Sequence, residues 1–220
     1  MLKEHGEDVV ILSACLGGPF SYEVMKGFHD GLSPEQIQVE LANLADRFID
    51  AVGRDNLFLE VQFNGIPEQH QVNEQLIRAS IDLGIPLVAT ADSHYPSPDQ
   101  WKAREVYKRL AWMGSKEYTL DDLPEDLEGM RYQLYPKNGA EMWHYWQRYR
   151  DESPEYYEQF NAEGLDDLIW DAIDRTHDIA HKMIGDVDPD TATKIFSYAT
   201  NEQTSFERAI VTGKHQALLH

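Results

Sequence analysis

Four groups of side chains in this sequence are of types that bind metal ions or move protons. Asp92 and His94 lie two residues apart in the run ATADSHY. A carboxylate and an imidazole at i and i+2 face one site when the chain is extended or turning, and diverge on a helix. Such a pair suits zinc, manganese or iron. The plainer reading is an Asp that caps a loop beside a half-buried polar His. Cys15 is the single cysteine. It is a thiolate ligand, or the small apolar core residue that most solitary cysteines are. Glu60 sits in the middle of the apolar run LFLEVQF, where a charge is costly unless it is paired. It reads as a supporting carboxylate or a base. His177 and His181 are four apart and share one face of a helix, so they can chelate zinc. Asp178 follows His177, so the H-E-x-x-H protease pattern is absent, and a solvated flank is the plainer reading.

These residues need elements to position them. Residues 57–63 form a short apolar and aromatic strand. A helix then starts at Pro67 and Glu68, which suit its first turn, and Val72, Leu76, Ala79, Ser80 and Leu83 recur at helical spacing. Gly84 stops it. Residues 85–90 are a continuous apolar run, as expected of a strand buried on both faces. Strand, crossover helix and strand make a βαβ unit with parallel strands. Chemistry in such architectures collects at the carboxyl ends of the strands, which is where Asp92 and His94 stand.

The same alternation precedes this unit. Residues 8–13, DVVILS, read as a strand, and Gly17-Gly18 as a tight turn at its end, so Cys15 falls on the same rim. An amphipathic segment covers residues 20–27. Ser33, Pro34 and Gln36 open a helix whose buried stripe is Leu41, Leu44, Ala45, Phe48, Ile49 and Val52. After His94, residues 99–113 look helical. That makes three parallel strands, too few to close a barrel and a poor open sheet, so partner strands are expected from elsewhere. Beyond Gly114 the pattern changes. Residues 120–130 are acidic and loop-like, and residues 132–135 read as a short strand. Asn138 and Glu141 cap a helix carrying Trp143, Tyr145, Trp146 and Tyr149, aromatics whose helical spacing marks core rather than a base-stacking platform. Residues 165–183 carry the cleanest helical stripe. Residues 186–220 are polar and weakly patterned.

Composition limits the function classes. Of 220 residues, 42% are hydrophobic, enough for a real core. No apolar run is long enough to span a bilayer, and the acidic N-terminus lacks a signal-peptide h-region, so no membrane partner is expected. One cysteine fits a reducing cytosol, and the expected location is cytoplasmic. The formal net charge of −20 argues against a broad basic surface that would hold nucleic acid directly. No phosphate-binding glycine loop, nucleophile elbow or kinase signature is present.

Several segments taken together resemble a known family. DVVILSACLGG, LFLEVQFNGIPEQHQVNEQLI, LGIPLVATADSHY and RYQLYPKNGAEM are similar, in the same order, to the PHP (polymerase and histidinol phosphatase) domain of the bacterial DNA polymerase III alpha subunit. The likeness covers roughly residues 8–185. Its specific parts are the G-I-P-E-Q-x-x-V-N run and the V-A-T-x-D-x-H-Y run. The resemblance implies an incomplete PHP-type, distorted TIM-like β/α barrel, of which this chain holds the last three strands followed by a mostly helical segment. Residues 1–113 are then the C-terminal part of the barrel, residues 114–185 a helical connector towards the polymerase palm, and residues 186–220 a polar tail.

By position, Cys15, Asp92 and His94 match the family's late metal ligands, and the implied metal is zinc or manganese. In the family a metal cluster at the strand ends supports 3′–5′ exonuclease or phosphoesterase chemistry, lowering the pKa of a bound water and stabilising charge on phosphate oxygens. The first half of the family's barrel, with its H-x-H motif, is absent. Asn64 stands where a His is common, Ala91 where an Asn is common, Ser93 where an apolar residue is common, and Ala14 in place of a Gly. No catalytic residue and no cofactor-binding residue is therefore assigned to this chain alone. The expectation is a fragment of a DNA-directed DNA polymerase in DNA replication. Its partners would be the remaining polymerase segments, namely the N-terminal PHP half and the palm, with DNA met only through the whole enzyme. The alternatives are a non-catalytic interaction module with relic ligands, or a stand-alone PHP phosphoesterase.

Overall fold

The computed structural model describes residue 6, residues 9–111 and residues 123–184. The chain divides into two compact units, residues 1–176 and 177–220. The first holds a parallel sheet of β1 (Ile11–Leu12), β2 (Leu57–Gln62) and β3 (Leu87–Thr90), in that order. Ile11 lies beside Leu57, Glu60 beside Val88 and Gln62 beside Thr90. The helices are α1 (Pro19–His29), α2 (Pro34–Val52), α3 (Pro67–Leu83), α4 (Trp101–Ala111), α5 (Gly139–Glu152) and α6 (Ala162–Ile184). From His177 onward α6 belongs to the second unit. The fold is mixed α/β and mostly helical, with all three described strands parallel, as the alternation of patterns predicts.

Helix ends are set by local chemistry. Ser33 N donates to Gln36 Oε1 at 2.9 Å and Ser33 Oγ accepts from Gln36 N at 3.4 Å, a capping box at the start of α2. Asn138 and Glu141 form another at α5, with distances of 2.8 and 3.0 Å. A cap of this kind is worth about 1 kcal/mol. Gly84 ends α3 in the left-handed region at φ 65°, which a residue with a Cβ adopts only at a cost.

Period two divides the sheet into two faces. Leu57, Leu59, Val61 and Phe63, with Leu87 and Ala89, lie in one buried cluster with Phe20, Ile37, Leu41 and Leu76 from α1, α2 and α3. Met142 and Trp146 of α5 and Leu165 and Ile169 of α6 join the same cluster. Helices on both sides of residue 114 thus share one core. Burial of each such side chain contributes about 1.5–3 kcal/mol. The opposite face carries Phe58, Glu60, Gln62, Val88 and Thr90. Arg150 fastens α5 to α6, its Nη1 lying 2.6 and 2.7 Å from the two carboxylate oxygens of Asp166, while Trp146 Nε1 donates to Asp166 at 3.0 Å.

Three expectations change. β1 is two residues long rather than six, because the chain turns away at Ala14, whose φ is 67°. Residues 132–135 are not a strand. They run irregularly past two loops, and Leu134 O accepts from His94 N (2.7 Å) and Tyr95 N (3.2 Å), while Arg131 O accepts from Gly65 N (2.5 Å). The helix expected over 99–113 begins at Trp101 after a 3₁₀ turn, Pro98–Gln100, and is described to Ala111. Residues 112–122 and the expected tail, 186–220, lie outside the described residues.

His70 on α3 is buried against three tyrosines. Its Nδ1 is 2.9 Å from Tyr157 Oη, and its ring stacks on Tyr156 at 5.4 Å and meets Tyr149 edge-on. Burial holds its pKa below the ordinary histidine value, against the opposing pull of Glu155 and Glu152. The unfolded chain therefore binds this proton more tightly than the folded one. The stability due to neutral His70 is complete above about pH 6.5 and is lost as the pH falls from there towards the folded pKa, at up to about 1.4 kcal/mol per pH unit. Urea unfolding between pH 7.5 and 5 should show that loss. His70→Gln should be less stable at neutral pH and show a flatter pH dependence, so parallel profiles for the two proteins would contradict this account.

Candidate functional site

The carboxyl ends of the three strands form one rim, and the first question there is how the ladder ends. Ser13 N donates to Phe58 O at 3.0 Å, the last backbone bond between β1 and β2. Glu60 N, which next needs an acceptor on that side, is met by Ser13 Oγ at 2.7 Å. Two residues further, the backbone of Gln62 is met by α3. Asn73 Nδ2 donates to Gln62 O at 2.8 Å and Asn73 Oδ1 accepts from Gln62 N at 3.4 Å. Gln69 Nε2 holds that amide in place from one turn earlier, at 3.0 Å from Asn73 Oδ1. A primary amide offers both donor and acceptor, so it replaces the missing strand residue. Gln69 and Asn73 are both buried, and they are the Q and N of the G-I-P-E-Q-x-x-V-N run.

The turn after β1 is tight. Gly18 N donates to Cys15 O at 2.8 Å, and a Cβ on Gly18 would come within 2.3 Å of Ser13 O, so only glycine fits there. Cys15 is half-buried in this turn.

One carboxylate oxygen of Glu60 is engaged within the sheet. Its Oε1 accepts from Gln62 Nε2 at 2.9 Å and from Thr90 Oγ1, and Gln62 Nε2 also lies 3.2 Å from Thr90 Oγ1. The three residues form a closed polar triad on the face opposite the main core. The charge in mid-strand is therefore hydrogen-bonded, as burial requires.

Asp92 and His94 are brought together. Asp92 Oδ2 is 3.3 Å from His94 Nε2, with the side chains 32% and 47% exposed. Asp92 adopts φ 46°, a left-handed conformation that Asp tolerates better than most residues. The bond from His94 N to Leu134 O fixes the loop behind them. Beside the pair's loop lies a crevice lined by Phe63, Asn64, Thr90, Ala91, Lys137 and Met142, with no room for a water molecule. Burial pulls the Lys137 ammonium down to about 8, against Glu141, which holds it up. Its Nζ donates to Gln133 O and sits over the rings of Tyr135 and Tyr145. Gln62, Asn73, Thr90, Lys137 and the 131–134 crossing are rim residues that the sequence reading did not single out. A buried amide on a helix facing a strand end was the available signal for Asn73.

Among the described residues, no three His, Cys, Asp or Glu side chains are grouped so as to hold a metal ion. Cys15 is not gathered with Asp92 and His94 into such a group. Two donors do not make a polynuclear centre, so the residues present do not by themselves fit the zinc or manganese cluster implied by the resemblance.

Comparison with known proteins bears on what this rim belongs to. No family model matches the chain. It is 27% identical over 228 residues to the DNA polymerase III subunit alpha of Helicobacter pylori, a match that covers 94% of this chain and 16% of that protein. The chain is similar to DNA polymerase III alpha subunits. The Treponema pallidum subunit is 31% identical over 142 residues, covering 64% of this chain and 11% of that protein. The Thermus aquaticus subunit is also 31% identical over 142 residues, covering 64% and 10%. The chain spans about a sixth or less of the length of these alpha subunits. No described helix is long and apolar enough to cross a membrane.

The strained turn after β1 yields a direct test. A non-glycine residue at φ 67° costs about 1–2 kcal/mol, partly offset by the extra freedom glycine has when unfolded. Ala14→Gly should therefore stabilise the chain by about 0.5–1 kcal/mol, measured as a raised urea midpoint at unchanged m-value. A lowered midpoint would mean that the Ala14 methyl contributes packing that outweighs the backbone strain.

Proposed function

We propose that this chain is a segment of a DNA polymerase III alpha subunit and supplies the last three strands of a PHP barrel together with the helices that follow. The observation that carries this is the similarity to the Helicobacter pylori subunit over 94% of the chain. The activity of the whole is template-directed DNA synthesis in the cytoplasm. The partners of this segment are the N-terminal PHP half and the palm. DNA is met through the assembled enzyme, consistent with a formal net charge of −20 here. In this reading Asp92, His94 and Cys15 are part of a zinc or manganese ligand set whose other members lie on the N-terminal half. Exonuclease or phosphoesterase chemistry belongs to the completed barrel, and no catalytic step is assigned to this chain alone.

The sheet edges support assembly on the β1 side. Backbone groups alternate along a parallel strand, so Leu87 points away from β2. Its carbonyl is occupied by Arg175 Nη1 of α6 at 2.6 Å. Leu12 points away from β2 on the other side, and its outward N–H and C=O have no hydrogen-bond partner among the described residues. Residues 9–12 are apolar yet only half-buried. An added parallel strand therefore docks on β1, where it also covers apolar surface.

A second reading, a non-catalytic interaction module, is favoured by the closed Glu60–Gln62–Thr90 triad and by the lack of a three-ligand group among the described residues. One experiment separates the two. The chain is co-expressed with the part of the Helicobacter pylori subunit that precedes the matched region, and the purified complex is analysed for metal. A polymerase segment with a working site gives a complex containing zinc or manganese that Asp92→Ala loses. A metal-free complex supports the interaction module. Leu12→Pro removes one outward N–H and should abolish the complex while leaving the circular dichroism of the isolated chain unchanged. Failure of the unsubstituted chain to form any complex would overturn the assembly reading.

A further inference from the structure

His177 and His181 are used by nothing described so far. Both are exposed on α6, one turn apart, within the second unit. Their rings meet at 79° with centroids 4.1 Å apart, and their Nε2 atoms are 2.8 Å apart. Side chains at i and i+4 are neighbours on a helix, but nothing in that spacing obliges the two Nε2 atoms to converge. Two exposed imidazoles can each hydrogen-bond to water instead. The separation is close to what one metal ion requires. With metal–nitrogen distances of about 2.0–2.1 Å, two ligands at a right angle are roughly 2.9 Å apart, and at the tetrahedral angle roughly 3.4 Å apart.

We propose that His177 and His181 form a two-histidine site for a borderline divalent transition metal, copper, nickel or zinc, with water completing the coordination. The chemistry selects the class of ion. Neutral imidazole prefers these metals to magnesium or calcium, which take oxygen ligands. As the structure stands, one imidazole donates its Nε2–H to the lone pair of the other. On binding, both rings carry their proton on Nδ1, and both Nε2 lone pairs face the metal. No net proton is released from neutral rings. Protons compete with a metal ion for imidazole nitrogen, so acid weakens such binding. A clip between residues four apart also fastens the last described turns of α6, because a ligand that binds only the folded helix stabilises it. This site is independent of Asp92 and His94 and does not rest on the polymerase reading.

The test uses the whole chain, freed of metal with a chelator, and titrates nickel chloride or zinc chloride alone by calorimetry at about pH 7.5. The expected result is one strong ion per chain, no binding of magnesium, and weaker binding as the solution is made acidic. His177→Gln and His181→Gln should each weaken binding by roughly tenfold or more. Asp92→Ala and His94→Ala should leave this binding unchanged. Amide hydrogen exchange in the C-terminal half of α6 should slow when nickel is added to the unsubstituted chain and not to His181→Gln. Both histidines are exposed, so the variants should match the parent in circular dichroism without metal, which guards against misfolding as a cause. The proposal is overturned if the chain binds no ion at millimolar metal, if the His177→Gln/His181→Gln double variant binds as the parent does, or if binding is lost with Asp92 instead.

Discussion

The central strand is longer than its neighbour, and the fold is organised around that mismatch. β2 has six residues and β1 two, so the backbone of Glu60 and Gln62 faces a side with no strand. A buried peptide group left without a partner costs about 1–3 kcal/mol, whereas a satisfied one is close to neutral or mildly favourable. Ser13 and Asn73 resolve this with side-chain atoms, the hydroxyl at one position and the amide two residues on. The amide solution requires α3 to lie against the end of β2 at one rotation and one height. That helix orientation in turn sets where His70 meets the tyrosines and where Val72 and Leu76 enter the core.

Much of this was legible in the residues, and what was legible is local. The capping boxes at Ser33 and Asn138 depend on residues three apart. The apolar periods of α2 and α3 arise from the burial of one helix face. The order of strand, helix and strand leaves the parallel arrangement as the ready topology. What was not legible involves partners far apart in the chain or a backbone angle. The pairing of Asn73 with Gln62 joins residues eleven apart across a turn, and Asn in a helix ordinarily signals solvent. Residues 132–135 alternate like a strand, yet this stretch meets the rim group by group rather than through a ladder: Arg131 O and Leu134 O accept from loop N–H groups, and Leu134 N donates to Tyr95 Oη. The left-handed conformation of Ala14 is marked only by the Gly that stands there in the family the chain resembles, and that angle is what cuts β1 short.

The candidate site divides in the same way. Asp92 and His94 are neighbours in sequence and meet in space at 3.3 Å, since an i, i+2 pair in a turning loop has few other options. Glu60 was legible as a charge that needed partners, but not as one satisfied within its own sheet by Gln62 and Thr90. The Asp92–His94 pair thus stays open to solvent on the rim, while the Glu60 carboxylate links two strands through Gln62 and Thr90. A rim built this way presents ligands at its margin and rigidity beneath them.

The guanidinium of Arg175 on the Leu87 carbonyl also bears on what the molecule avoids. Exposed strand edges recruit one another, and a sheet with two free edges can propagate without limit into a fibre. Here the outward Leu87 carbonyl of one edge is taken by a guanidinium, and the other edge is only two residues long. Copies of the chain therefore lack the matched pair of edges that open-ended stacking needs. A sheet whose edges are short or capped in this way is a poor template for copies of itself.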